Sequence, residues 1–176
     1  YARGHWINGR AASRPLSSVV AEICENTGLM AYDVSALHGV VRGYGIDDMT
    51  TARSALQPLM MAYGFDAIER DGVLVFRTRT ARLDASVDSA TLVYEKGTEG
   101  AIELTRTPEA EVSGRVRVGY VEADADYEVR TTEAVFPDTR GQTTSGSDLS
   151  LVLTSAEGQR IAERWSAPAT SLIRTW

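Results

Sequence analysis

Two stretches in the first half of the chain carry apolar residues at helical spacing. The first covers residues 16–27, with Ser17 or Ser18 as a candidate cap and Gly28 as the stop signal. The residues that share its predicted inner face are Val19, Val20, Ile23, Cys24 and Thr27. The pattern predicts an amphipathic helix after an extended lead-in over residues 1–15.

The second stretch runs from Thr51 to Tyr63 and is followed by Gly64, a residue type common just after a helix C-terminus. Its predicted inner face consists of Ala52, Leu56, Leu59, Met60 and Tyr63. Pro58 lies inside the stretch, so we expect either a kinked helix or one that begins late.

The pair Asp71-Gly72 separates two runs of strand-forming residues, which is typical of a hairpin closed by a two-residue type I′ turn. The register counted outward from this turn pairs Ile68 with Val75, Ala67 with Phe76 and Asp66 with Arg77. One face of the hairpin is apolar and is expected to lie on the two helices.

Downstream of the hairpin the apolar period changes to two, which is typical of strands. Residues 112–120 and 127–131 alternate in this way and are separated by an acidic turn at Glu122–Asp126. Shorter strand candidates lie at 91–94 and 101–105, on either side of a turn at 96–100. We expect about four strands, paired mainly antiparallel.

The C-terminal part begins with a polar stretch and ends with a helix signal. Residues 138–148 hold Gly, Ser and Thr without an apolar anchor, which predicts a mobile loop. Thr154 and Glu157 match a capping box, so a helix should open there and end before Pro168. Its predicted inward residues are Ile161, Ala162 and Trp165.

These elements together predict an α+β fold. Residues 16–80 are expected to form a helix-helix-hairpin lobe, and residues 81–176 a mainly antiparallel β lobe closed by the C-terminal helix. A chain of 176 residues has the length of one ordinary domain or two small lobes.

The composition narrows the possible functions. Hydrophobic residues make up 43% and charged residues 24%, and no apolar run approaches the roughly 20 residues that a bilayer requires. The net charge of −6 argues against nucleic-acid binding. The chain begins without Met and ends on apolar residues, so we interpret it as a segment of a longer protein.

The histidines and the cysteine offer little chemistry. His5 and His38 are the only histidines, and neither has a ligand partner at helical spacing, so ordinary surface roles are expected. Cys24 is the only cysteine and cannot form an internal disulfide. Its place on an apolar helix face predicts a core residue.

Two local patterns suggest ligand sites but fail on their spacing. The acidic residues from Glu122 to Glu133 follow part of a calcium-loop count, but Tyr127 occupies the sixth position, where that loop needs Gly. A solvated hairpin turn is the better interpretation. The segment Gly43-Tyr44-Gly45 lacks the Lys and Ser or Thr of a phosphate loop and is interpreted as a turn.

A resemblance to a known family covers most of the chain. The opening Tyr1–Arg10, YARGHWINGR, resembles a stretch of the large tail-tip protein of gene transfer agents. The similarity continues, in order and spacing, at residues 16–24, 28–29, 41–44, 51–59, 65–67, 72–77, 115–120, 124–127 and 149–165. One departure is Ser166-Ala167-Pro168, where the family helix is expected to continue.

The resemblance implies a structural role in a virion. Proteins of this type look like baseplate hubs, which are trimers around the tail axis that contact other tail and baseplate proteins. It implies DNA delivery to a recipient cell, with only indirect contact with that cell's surface. From the negative net charge we expect no specific nucleic-acid binding, and from the missing site residues no cofactor. Family members also carry a barrel domain resembling glycoside hydrolases, which nothing in these residues matches.

An enzymatic alternative stays open beside this interpretation. A peptidoglycan-degrading tail module needs two carboxylates beside a cleft. The candidates are Asp47, Asp48, Glu122, Asp124 and Asp126. Asp47 and Asp48 are more simply explained as acidic residues that favour the start of the second helix. We therefore expect no catalytic, cofactor or metal site, and a protein that is not an enzyme.

Overall fold

The computed structural model describes residues 13–46, 51–79, 86–88, 91, 103–105, 114–125, 128–135, 143–166 and 173–175. These residues form three helices, Leu16–Asn26 (α1), Ala52–Tyr63 (α2) and Ser155–Ser166 (α3). They also form ten strands: Arg14–Pro15 (β1), Tyr32–Ala36 (β2), Val40–Val41 (β3), Phe65–Arg70 (β4), Val73–Thr78 (β5), Glu103–Thr105 (β6), Arg115–Glu122 (β7), Val129–Val135 (β8), Thr144–Leu153 (β9) and Ile173–Thr175 (β10).

The first helix follows the predicted span but not the predicted cap. Pro15 is the N-cap residue and makes no side-chain capping bond, so the assignment of Ser17 or Ser18 as the cap is wrong. The cause is a backbone contact, since the Leu16 amide donates to the Gly39 carbonyl at 3.0 Å and needs no serine. The buried face consists of Leu16, Val20, Ile23 and Cys24.

The second helix is continuous from Ala52, so the alternative of a late start is wrong. Its cap is the Thr51 hydroxyl, which accepts from the Ser54 amide at 3.3 Å. Pro58 is tolerated inside the helix because the carbonyl that loses its partner belongs to Ser54, an exposed residue that water can reach. Gly64 takes the left-handed conformation at the C-terminus, as predicted.

The hairpin formed by β4 and β5 is confirmed with the predicted register. Asp71 and Gly72 have φ angles of 54° and 77°, the positive values that a type I′ turn requires at both central positions. Strand β2 joins the other side of β5 in parallel, which gives the order β2-β5-β4. On the inner face the rings of Phe65 and Phe76 meet edge to face, with centroids 6.2 Å apart.

The second three-stranded sheet has the order β8-β7-β9. The predicted antiparallel hairpin is confirmed as β7 and β8, each shifted by a few residues toward the C-terminus. The mobile loop predicted at 138–148 is wrong for residues 144–148, which form the start of β9 and pair in parallel with β7. These residues are mostly exposed, so their strand conformation leaves no apolar pattern in the sequence.

The remaining strand predictions are met in part. Glu103–Thr105 is a strand within the predicted 101–105 and pairs antiparallel with β10. Thr91 is instead in a turn, where its amide donates to the Asp88 carbonyl at 3.0 Å. Residues 92–100 lie outside the described residues, as do 1–12 of the predicted lead-in. Strands β1 and β3 pair antiparallel beside the start of α1.

The capping box of α3 is confirmed in both directions. The Thr154 amide donates to the Glu157 carboxylate at 2.8 Å, and the Glu157 amide donates to the Thr154 hydroxyl at 3.3 Å. The helix ends at Ser166, before Pro168. Ile161 and Ala162 are buried as predicted, whereas Trp165 is only half-buried.

The α+β class is confirmed, and the two larger sheets are mixed because each contains one parallel pair. The buried apolar residues from both halves of the chain form one cluster, which includes Leu59, Phe76, Val118 and Ile161. The division into lobes at residue 80 stays a prediction. Within the part of the chain that the structure describes, we find no helix long and apolar enough to cross a membrane.

Candidate functional site at the junction of the second and third helices

The C-terminal ends of α2 and α3 are tied together by side chains of α3. The Arg164 guanidinium donates to the Met61 and Ala62 carbonyls, both at 2.7 Å, and the Trp165 indole donates to the Met61 carbonyl at 3.2 Å. These carbonyls belong to the last turn of α2, which has no helical donors of its own. Arg164 therefore caps one helix while belonging to another.

A second tie runs through the segment Gly43-Tyr44-Gly45. Its backbone bonds to β9, with Gly45 donating to Ser150 and Val152 donating to Gly43, both at 2.9 Å. The Tyr44 hydroxyl donates to the Ala55 carbonyl at 2.6 Å, and burial raises the pKa of Tyr44 to about 12. The segment is thus more than the predicted turn, since it forms a bridge that holds β9 against α2.

An open cleft of about 230 Å³ lies between the end of α2, the end of β9 and α3. We call it the α2–α3 cleft. Its apolar wall consists of Ala62, Tyr63, Leu153 and Ile161. The charged residues at its border, Glu157, Arg160 and Arg164, all come from α3, where they follow one another at helical spacing.

Glu157 is neutralised at the cleft by Arg42, whose Nε donates to the carboxylate at 3.3 Å. Partial burial opposes ionisation of Glu157, but the hydrogen bonds from Thr154 and Arg42 outweigh it, and the pKa of the carboxyl is lowered. Burial, with a smaller effect of Glu157, raises the pKa of Tyr63 to about 12. Both groups keep their usual ionisation states at neutral pH.

The two arginines at the border have no carboxylate partner among the described residues. Within the described part of the chain, Arg160 donates only through Nε, to the Ala156 carbonyl at 3.3 Å. The pKa of Arg164 is lowered, first by its partial removal from water and then by the nearby charge of Arg79. Arg79 itself is paired with Asp66, at 2.6 and 2.7 Å.

The carboxylates proposed for a hydrolase are not gathered at this cleft. Glu122 is 3% exposed, and its carboxylate accepts a hydrogen bond from the Tyr120 hydroxyl at 3.4 Å. Its Oε1 is buried and finds no hydrogen-bond partner among the described residues. Asp124 is exposed at the next turn, and Asp47, Asp48 and Asp126 lie outside the described residues. Of the five carboxylates proposed for a hydrolase, the structure therefore describes two, with Glu122 in the core and Asp124 on the surface.

The histidine and cysteine predictions are resolved in part. His38 is exposed, with Nδ1 3.2 Å from the Ala36 carbonyl, and His5 lies outside the described residues. Cys24 is fully buried on the inner face of α1, as predicted, and burial raises the pKa of its thiol. Among the residues with described positions, no cluster of three potential metal ligands occurs.

The sequence did not single out the residues that build the cleft. Arg42 and Glu157 are 115 positions apart, and Arg164 and Met61 are 103 apart, so no local pattern links them. The one available signal was the spacing of Glu157, Arg160 and Arg164 along a single helix face.

Comparison with known proteins decides the family. A family model described as "Putative phage tail protein" matches residues 51–172, which is more than half of the chain. The matched span includes α2, both strands of the predicted second hairpin, and α3, so it contains the whole α2–α3 cleft.

The chain belongs to this phage tail protein family.

Solved structures agree with this membership. A chain in the virion of a native gene transfer agent particle is similar, with 54% sequence identity and a TM-score of 0.84 over 96% of the present chain. A tail protein from Neisseria meningitidis MC58 has 12% identity and a TM-score of 0.52 over 90% of the present chain, which shows the fold alone.

The present chain spans 38% of the gene transfer agent chain and 48% of the Neisseria chain. No curated protein matches it.

The family match and the match to a virion chain together show that the phage tail protein is a virion-associated structural protein. The resemblance seen in the sequence is confirmed at the level of the family.

Proposed function

We propose that this phage tail protein is a segment of the baseplate hub at the tail tip of a gene transfer agent. The observation that carries the proposal is the 54% identity, over 96% of the chain, to a chain of a native gene transfer agent virion. Identity at this level over nearly the whole length favours the same place in the same kind of particle.

The structure supports a mechanical role for the segment. Arg164, Trp165 and Tyr44 fasten α3 and β9 to α2 by hydrogen bonds to backbone carbonyls, which do not depend on the identity of a partner side chain. Buried apolar residues then join both halves in one cluster. A segment fastened in this way transmits force without opening, as a hub must when it anchors other tail and baseplate proteins.

In the proposed hub three copies surround the tail axis, because a closed ring lets identical edges satisfy one another. The net charge of −6 suits a conduit for DNA, since like charge opposes adhesion of the phosphate backbone. The hub then supports tail assembly and DNA delivery, and its contact with the recipient cell passes through other proteins.

The position in the particle is tested by labelling. The Asp71-Gly72 turn is exposed, so an epitope inserted there disturbs no buried contact. Antibody fragments against the epitope should bind the distal end of the tail in negative-stain images, and particles without the epitope serve as the control. Labels along the tail shaft, or at the head, would contradict the hub proposal.

The proposed hub segment is not an enzyme. A hydrolase of the glycosidase type needs two carboxylates that reach one sugar, whereas Glu122 is enclosed in the core. A zymogram on peptidoglycan tests this part separately, and we expect no clearing. Clearing that is lost in Glu122→Gln or Asp124→Asn would establish the hydrolase alternative instead.

A further inference from the structure

The α2–α3 cleft carries positive charge in an acidic chain. Arg42 and Glu157 neutralise each other, as do Arg79 and Asp66. Arg160 and Arg164 remain, and neither has a carboxylate partner in the described part of the chain. The α2 carbonyls that Arg164 caps offset about half a charge, so the border of the cleft keeps a net positive charge, supplied mainly by Arg160.

The wall of the cleft is apolar where these charges meet it. Tyr63, Leu153 and Ile161 form most of this wall, and the cleft holds about 230 Å³. This volume accommodates one or two side chains and not a whole peptide. The Arg160 guanidinium beside this apolar wall fits a ligand that presents a carboxylate next to an aliphatic group.

We propose that the α2–α3 cleft is a docking site for an acidic-apolar segment of a neighbouring protein, with a Glu or Asp on Arg160 and an aliphatic side chain on Ile161. Charge complementarity selects a protein carboxylate over nucleic acid, because the chain as a whole has a net charge of −6 and repels a polyanion. That the partner is another tail protein rests on the proposed function. The preference of the cleft for a carboxylate beside an aliphatic group is independent of the proposed function.

The test uses the 176-residue chain and a defined probe. An acetylated, amidated Leu-Glu-Glu-Leu peptide is titrated into isotope-labelled protein, and the amides of Tyr63 and Ile161 and the Nε–H of Arg160 are followed by NMR. We expect saturable shifts with a Kd of about 1 mM, the order expected for a small cleft. The Leu-Gln-Gln-Leu peptide should bind about fivefold more weakly, because it lacks the carboxylates that pair with Arg160.

Variants separate the role of Arg160 from effects on folding. Arg160→Gln should raise the Kd about fivefold, the loss typical of one solvent-exposed charge pair, without changing the stability of the chain. Arg53→Gln is the matched control, because Arg53 is an exposed arginine of α2 outside the cleft and its loss should leave the Kd unchanged.

Several outcomes would overturn the proposal. These are the absence of saturable shifts with the glutamate peptide, equal shifts with the glutamine peptide, or an unchanged Kd in Arg160→Gln. Inorganic phosphate that binds more tightly than the glutamate peptide would also overturn it, since the cleft would then be a general anion site. None of these outcomes affects the labelling test of the hub position, so the two proposals fail separately.

Discussion

Cys24 shows how far a single residue can be understood from its place on a helix. Its side chain is fully buried with Leu16 and Val20 on the inner face of α1. Burial and the nearby Glu25 charge raise the pKa of the thiol, which lowers the fraction of reactive thiolate. The residue acts as a small apolar side chain.

Cys24→Ala should therefore lower the free energy of unfolding by only about 1 kcal/mol, because it removes little buried volume. Urea denaturation measures this change. The native thiol should also react slowly with a disulfide reagent and react quickly once the chain is unfolded. Fast reaction of the folded protein would contradict the core assignment.

Gly158 is a position at which a side chain would not fit. A Cβ at this position would lie 2.5 Å from Cε1 of Tyr120. Tyr120 is 3% exposed, and its ring lies against α3, so it has little room to move. The glycine lets α3 pack closely on β7 despite its unfavourable helix propensity.

Gly158→Ala should destabilise the chain by about 1 kcal/mol, since the cost of overpacking exceeds the gain in helix propensity. Thermal unfolding followed by circular dichroism measures the shift. In a Tyr120→Val background the same substitution should become neutral or stabilising, because the ring is gone. A higher midpoint for the single variant would show that the contact is not close.

At the scale of elements, the sequence predicted best where the signal was local. The Asp71-Gly72 turn set the hairpin register, and the Thr154 and Glu157 pair located the start of α3, because neighbouring residues alone determine both. It failed at β9, whose first residues are exposed and whose pairing partner, β7, lies far away in sequence. The α2–α3 cleft was missed for the same reason.

The start of α3 should depend on pH through Glu157. The folded-state pKa of this carboxyl is lowered, so its contribution to stability is present above the ordinary value of about 4.5 and is lost as the pH falls through the folded-state pKa. Glu157→Gln keeps a capping-box acceptor but loses the charge attracted to Arg42. We expect the variant to be less stable at pH 7, by an amount that shrinks below pH 4.5.

Denaturation of both proteins across this pH range measures that difference. Glu163→Gln, a substitution of an exposed glutamate on the same helix, is the matched control, and its effect on stability at pH 7 should be the smaller of the two. A stability difference for Glu157→Gln that stays constant from neutral to acidic pH would contradict the role of the Arg42 ion pair.

At the scale of the whole molecule, the sequence of a single chain predicts family membership and fold class. The symmetry of the assembly depends on contacts with other chains. The α+β class follows from the two apolar periods in the sequence. The number of copies in a ring depends on surfaces that face other molecules, which leave no periodic pattern. The trimer is therefore the part of the proposed function that most needs a direct measurement.

That measurement is an image reconstruction of the particle, calculated down the tail axis without imposed symmetry. The proposed hub predicts three copies of this fold in a closed ring at the tail tip. The α2–α3 cleft of each copy should face a neighbouring protein. One or two copies at the tip, or a position of this fold along the tail shaft, would contradict the hub assignment despite the sequence identity.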